Sequence, residues 1–280
     1  MTPPPDFNNR KAIDSPSMNK SGGGVSAVWV ISRMVIKEIF RKKDFYVALI
    51  LTGVILFYAS NLQFYNVQNI VRYLMELGLM LIFLFSAILT VSLAARQYPA
   101  EIQNRTSYVL LAKPISRWQF VAGKFLGSLL AGWAAFGIFY VLFLAIVWAK
   151  AGSLSTVSAA QVFYLFLLNL AVLAAMASAF SYVLTTSANI SVTLILYILI
   201  NTYGPGLKEA GEKLSWVMHI LYDTVYYLLP HFEFFDMRQR FIHEWEPVST
   251  GLLGFLTLYA LFYTTFFLML GWIALRRRPI

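Results

Sequence analysis

Residues Arg96 to Lys124 read RQYPAEIQNRTSYVLLAKPISRWQFVAGK and separate two long apolar runs. The stretch holds Arg96, Glu101, Arg105, Lys113, Arg117 and Lys124 in a chain where only 12% of residues are charged. A charged island between runs long enough to cross ~30 Å of hydrocarbon reads as a water-facing loop joining two membrane spans. That reading sets the fold class as an all-α integral membrane protein. The composition agrees, with 59% hydrophobic residues, 16% aromatic residues and a mean hydropathy of +0.66. A water-surrounded domain of this length carries more charge.

Working upstream from the loop, span 2 is expected over 74–95 and span 1 over 45–61, with Asp44 placed to cap the latter. Residues 25–43, VSAVWVISRMVIKEIFRKK, read as an amphipathic helix. Val28, Ile31, Val35 and Ile39 form one stripe, while Arg33, Lys37, Arg41, Lys42 and Lys43 point away or snorkel. Such a helix lies in the membrane interface with its basic face on anionic head groups; the start of span 1 is the alternative reading. Residues 1–24, with Pro3-Pro4-Pro5 and Gly22-Gly23-Gly24, lack apolar periodicity and are expected to form a disordered cytoplasmic tail without a signal peptide.

Working downstream, span 3 is expected over 125–148, span 4 over 162–184, span 5 over 190–202 and span 6 over 251–275, which makes 44–280 a six-span domain. Tyr203-Gly204-Pro205-Gly206 is expected to stop span 5 sharply. The extracytoplasmic segment 203–250 contains an apolar stretch, Leu214 to Leu229, interrupted by His219 and Asp223. It is too short and too polar for an ordinary span, so re-entrant or interfacial helices are expected there. Pro230 ends the stretch, and the charges from Glu233 to Glu246 are expected in water.

Charge placement orients the chain. Lys and Arg number eight before span 1, five in the 96–124 loop and three after span 6, against six on the opposite side. The side with more basic residues is cytoplasmic, so both termini are expected in the cytoplasm of a cell with this protein in its inner membrane. The net charge of +9 is thereby a matter of sidedness and implies no nucleic-acid partner.

The interior of the spans is poor in chemistry. Ionisable groups are essentially missing from them, and Glu76 sits at the outer end of span 2, so an ion-driven carrier with a mid-membrane relay is disfavoured. Thr90, Asn169, Ser178, Ser181 and Asn201 read as helix–helix hydrogen-bonding groups. Gly123, Gly127 and Ala131, and Ala171, Ala175 and Ala179, mark close helix packing. No span pairs a nucleophile with a base, so no catalytic residues are assigned. There is no cysteine, and His219, His231 and His243 stand twelve residues apart, so no metal site is assigned either. The chain has no G-x-x-x-x-G-K-[ST] phosphate loop, so any ATP must be bound elsewhere.

The loop carries a more specific signal. Glu101, Thr106, Leu110-Leu111, Lys113-Pro114-Ile115-Ser116-Arg117 and Gly123-Lys124 resemble the signature of ABC-2 type permeases. Within that family the chain looks like the multicopper-enzyme-maturation and gliding-motility branch, similar to type V exporters. It departs in carrying Arg105 where many relatives have Gly before the Thr, which alters the local turn.

The resemblance implies a permease that forms a homodimer and works with two copies of a separate ATP-binding subunit, which holds ATP and Mg while this chain binds no cofactor. It implies a coupling helix at about 100–112 docking into the ATPase. Glu101, Arg105, Thr106, Ser107, Tyr108, Leu111, Lys113, Pro114 and Arg117 are the coupling residues so implied. Glu101 can equally brace the loop against Arg41, Lys42 or Lys43, and Lys113, Arg117 and Lys124 can contact lipid phosphates. The resemblance further implies that 25–43 is a connecting helix and that 203–250 forms an outer gate, with Tyr203, Gly204, Pro205, Gly206, Pro230, Phe235 and Asp236 its candidates. Two functions fit: ATP-driven export or extraction of a substrate, and relay of ATPase strokes to an extracytoplasmic accessory protein without transport.

Overall fold

The computed structural model describes residues 23–41, 70–99, 116–151, 155–211 and 229–277, with a few helical positions between 46 and 58. Its elements are α1 (Gly23–Arg41), α2 (Ile70–Ala95), α3 (Arg117–Ala151), α4 (Thr156–Ser181), α5 (Thr186–Gly211), a 3-10 turn (Phe232–Phe235), α6 (Arg238–Ile242) and α7 (Thr250–Arg276). No strand occurs among the described residues.

Four helices among the described residues are long and apolar enough to cross a membrane: α2, α3, α4 and α7. At 1.5 Å per residue, the 26 residues of α4 span roughly 39 Å, enough for the hydrocarbon core. The apolar part of α5 is shorter, Thr186–Asn201. About half of the expected span 1, 45–61, lies outside the described residues, its remaining positions being helical, and the apolar stretch 214–228 lies wholly outside them.

The core is organised by α4, whose sequence is apolar all round and therefore belongs in the middle of the bundle. Ala171 through Ala179 are all buried. Small side chains let neighbouring backbones approach closely, the main source of helix association in lipid. α2, α5 and α7 pack on α4, and α1 lies along α3. Outward-facing Val141, Trp148, Phe255, Leu258 and Phe262 are exposed, a surface suited to hydrocarbon and not to water.

Two boundaries differ from the sequence reading for identifiable reasons. α3 begins at Arg117, so the last third of the expected 96–124 loop is helix. Ser116 and Gln119 form a reciprocal capping pair: the Ser116 N–H donates to Gln119 Oε1 at 2.9 Å, and the Gln119 N–H donates to Ser116 Oγ at 3.2 Å. The helix α5 does not stop at Tyr203-Gly204-Pro205-Gly206 but continues to Gly211. Pro205 has no N–H to donate to the Asn201 carbonyl, a loss that membrane helices tolerate.

The amphipathic helix forms as expected, but its stripe meets protein. Ile31 and Val35 are buried against α3, while Arg33 and Lys37 remain exposed. Ser32 Oγ lies 2.9 Å from both the Val28 and Gly123 carbonyl oxygens. The fit depends on two missing side chains: a Cβ at Gly123 would stand 2.8 Å from Ile31 Cβ, and one at Gly127 only 2.6 Å from Val35 Cβ.

Candidate functional site

One end of the bundle carries the described residues that flank 100–115 on both sides. One arm is the end of α2, where Tyr98 is buried with its ring 4.8 Å from that of Tyr182. The other arm is the first two turns of α3. Lys124 ties them, its Nζ donating to the Gln97 carbonyl oxygen at 2.7 Å while lying over the Phe120 ring. Lys124 is buried, so the expected contact with lipid phosphates does not describe it: the helical start of α3 turns its side chain inward.

Arg117 has an equally internal role. Its Nη1 donates to the Arg276 carbonyl oxygen at 3.0 Å and reaches the Leu275 oxygen at 3.5 Å. A cation on the last carbonyls of a helix satisfies otherwise orphaned acceptors and complements the dipole. The loop base is thereby fastened to α7. Glu101, Arg105, Thr106, Ser107, Tyr108, Leu111, Lys113 and Pro114 lie outside the described residues, as do Lys42, Lys43 and the side chains of Arg41 and Tyr203 to Gly206.

At the other end of the bundle, the chain after Pro230 folds back into the helices. Phe232, Phe235, Phe241 and Ile242 are buried, because residues three apart in a 3-10 turn share one face. Pro230 is buried as well. Asp236 accepts from Arg238 Nε at 2.9 and 3.0 Å on its two oxygens and also meets Arg238 Nη2. This fork-to-fork pairing is strong and fixes geometry, and it pushes the Arg238 guanidinium pKa further up. The guanidinium also lies 5.5 Å above the Phe83 ring. Charges expected in open water thus sit half-buried against α2.

Beneath this pair is a cavity of about 220 Å³, lined by Asn169, Tyr197, Asn201, Asp236 and Arg238 with apolar residues of α2 and α5. Asn169 is buried, its Nδ2 3.5 Å from the Phe232 carbonyl oxygen, and its Oδ1 has no donor. Of these residues only Asp236 was singled out from sequence as a gate candidate. Asn169 and Asn201 read from sequence as helix–helix hydrogen-bonding groups, and nothing local to Arg238 or Tyr197 marks a shared cavity.

Nearby, His231 Nδ1 stands 3.5 Å from Glu233 Oε1, and Tyr259 Oη accepts the His231 backbone N–H at 2.8 Å. Burial raises the Glu233 carboxyl above its ordinary 4.5, opposed by His231. A raised carboxyl pKa means that the folded state holds the proton more tightly than the unfolded one. Its stabilising contribution is full below the ordinary value and is lost as pH rises through the raised one. Glu233→Gln is therefore expected to raise the melting temperature at pH values above the raised pKa, where wild-type Glu233 is charged, and to flatten the gain expected of wild type as pH falls through that pKa. Identical pH profiles for the two proteins would refute this.

Two comparisons with known proteins bear on identity. No curated protein matches the chain significantly. A family model described as ABC-2 family transporter protein matches residues 26–278. That span runs from within α1 to the end of α7, and so the chain belongs to the ABC-2 family of transporter proteins.

Proposed function

We propose that this chain is the membrane-spanning subunit of an ATP-driven exporter or extractor, acting as a homodimer with two copies of a separate ATP-binding subunit. The carrying observation is the family match across 26–278. ABC-2 permeases are generally non-catalytic membrane subunits that typically work with an ATP-binding subunit. On this reading the protein has six spans and resides in the cytoplasmic membrane with both termini inside. The 96–124 region then faces the motor, and the resemblance of its motif favours the multicopper-enzyme-maturation and gliding-type branch.

The structured base supports the loop as the docking element. A segment that receives a stroke must be anchored at both ends or it yields without moving the helices. Lys124 and Arg117 tie this one to α2 and α7. Tyr108, Val109, Leu110 and Leu111 offer apolar surface for a socket, while Glu101 and Arg105 set its register. ATP closure of the motor pair then pushes the base inward and opens the bundle outward.

Tyr108→Asp or Leu111→Asp is expected to lower co-purification of the ATP-binding subunit at least tenfold while leaving membrane insertion unchanged. A charge placed in an apolar socket costs about 2 kcal/mol or more, which is that order of affinity. Undiminished co-purification and ATP-dependent flux in both variants would overturn the assignment. ATP hydrolysis without flux in reconstituted vesicles would favour stroke relay to an extracytoplasmic partner.

A further inference from the structure

We infer that the cavity under the Asp236–Arg238 pair is a binding site for the head group of an amphiphile carrying a primary ammonium beside a phosphate. Three features of its lining lead there.

The first is an unmet acceptor. Asn169 is 97% buried, lines the cavity and leaves Oδ1 without a donor. Such an orphan carries a desolvation cost that a bound N–H or O–H removes. Asn201 also lines the cavity, and its side-chain amide can accept a hydrogen bond as well. Acceptors of this kind select a ligand that donates.

The second is charge arrangement. Arg238 spends Nε and Nη2 on Asp236, and a guanidinium has five N–H donors, so Nη1 is left for an anionic oxygen. With the Asp236 carboxylate paired to the guanidinium, the rim does not favour a simple anion. A zwitterion matches it, the ammonium toward Asp236 and Asn169, the phosphate toward Arg238.

The third is shape and exit. A volume of about 220 Å³ exceeds by far the ~15 Å³ that one water needs. It falls below the ~300 Å³ at which pockets for drug-sized ligands begin, so it takes a head group and not a whole lipid. The mouth lies between α2 and α5, where Met80 and Ile198 are both exposed on the outer surface of the bundle. Acyl chains attached to the head group can leave there into hydrocarbon. The binding claim stands apart from the permease reading; only the further step, that this amphiphile is cargo, rests on it.

The test uses the full chain in nanodiscs, with retained lipid counted by native mass spectrometry. Dioleoyl phosphatidylethanolamine, phosphatidylcholine and phosphatidylglycerol are supplied in equal amounts. Wild type is expected to retain the ethanolamine lipid about tenfold over the choline lipid, whose quaternary ammonium cannot donate to Asn169. Asn169→Ala is expected to abolish that preference. Tyr197→Phe, the milder change, is expected to weaken it severalfold and provides a well-folded second variant.

Displacement by soluble phosphoethanolamine assigns the site to a free head group, and failure to displace assigns it to the lipid; both require the wild-type preference first. Equal retention of ethanolamine and choline lipids, or preferential retention of phosphatidylglycerol, overturns the proposal. Loss of the ATPase partner with the preference intact would overturn the proposed function alone. A retained partner without the preference would overturn the cavity's assignment alone.

Discussion

Gly127→Val is expected to detach α1 from α3. A Cβ at this position would lie 2.6 Å from Val35 Cβ, 2.7 Å from Val35 Cγ1 and 3.2 Å from the Ser32 carbonyl oxygen. The nearest two atoms belong to a branched side chain next to its own helix backbone, and the third is backbone. None is the far end of a flexible side chain that can swing away. Overpacking of a tight contact costs typically 1–3 kcal/mol, and valine, with two further methyls, belongs at the upper end.

Separation would also pull Ser32 Oγ from the Gly123 carbonyl oxygen, now 2.9 Å away. Because the chain has no cysteine, a single cysteine at Ile31, which leaves Val35 in place, can report the result. Its maleimide labelling is expected to be slow in the wild-type background, where residue 31 is buried, and at least tenfold faster with Gly127→Val. Gly127→Ala should fall between the two. Equal labelling in all three backgrounds would show that α1 does not depend on this notch.

Phe136→Ala is expected to be the most destabilising single truncation in the bundle. Phe136 is fully buried, and its ring lies 4.6 Å from Phe166, 5.3 Å from Phe163, 5.5 Å from Tyr140 and 6.1 Å from Phe83. These rings come from α2, α3 and α4, so the phenyl group is a shared contact of three helices.

In water such a truncation costs roughly 3–5 kcal/mol. In lipid the transfer contribution shrinks, because acyl chains are as apolar as the core, while the lost dispersion and the cavity remain. About 2–3 kcal/mol is therefore expected, read as a drop in melting temperature of the detergent-solubilised protein. Phe136→Leu should recover more than half of it. The effect should reach the outer segment too, since Phe83 carries Arg238 on its other side at 5.5 Å. Protease sensitivity at Arg238 and Arg240 is expected to rise with Phe136→Ala and not with an equally destabilising change in α1. No change in melting would mean that the cluster is filled by rearrangement of its neighbours.

Much of the bundle could be read from the chain because hydropathy reports it directly. The last span, expected at 251–275, is the helix Thr250–Arg276, since no charged residue intervenes between its ends. Gly123 and Gly127 were correctly read as packing notches. Their partner was not visible, because α1 precedes them by some ninety residues and its stripe was equally consistent with lipid.

The start of α3 was legible but overlooked: Ser116-x-x-Gln119 is a capping sequence, hidden by the charges around it. Pro205 misled in the opposite direction, since a proline rule calibrated on water-exposed helices overstates its effect where neighbours can compensate. The cavity was not legible at all. Its parts come from α2, α4, α5 and the outer segment, and only tertiary packing brings Asn169 under Arg238.

The guanidinium of Arg117 closes a circuit that the chain's linear order conceals. By resting on the carbonyls of Leu275 and Arg276, it makes the final helix mechanically contiguous with the bend some 160 residues before it. On the proposed reading, a push received at that bend is shared at once between α3 and α7, so the middle and the end of the polypeptide respond together.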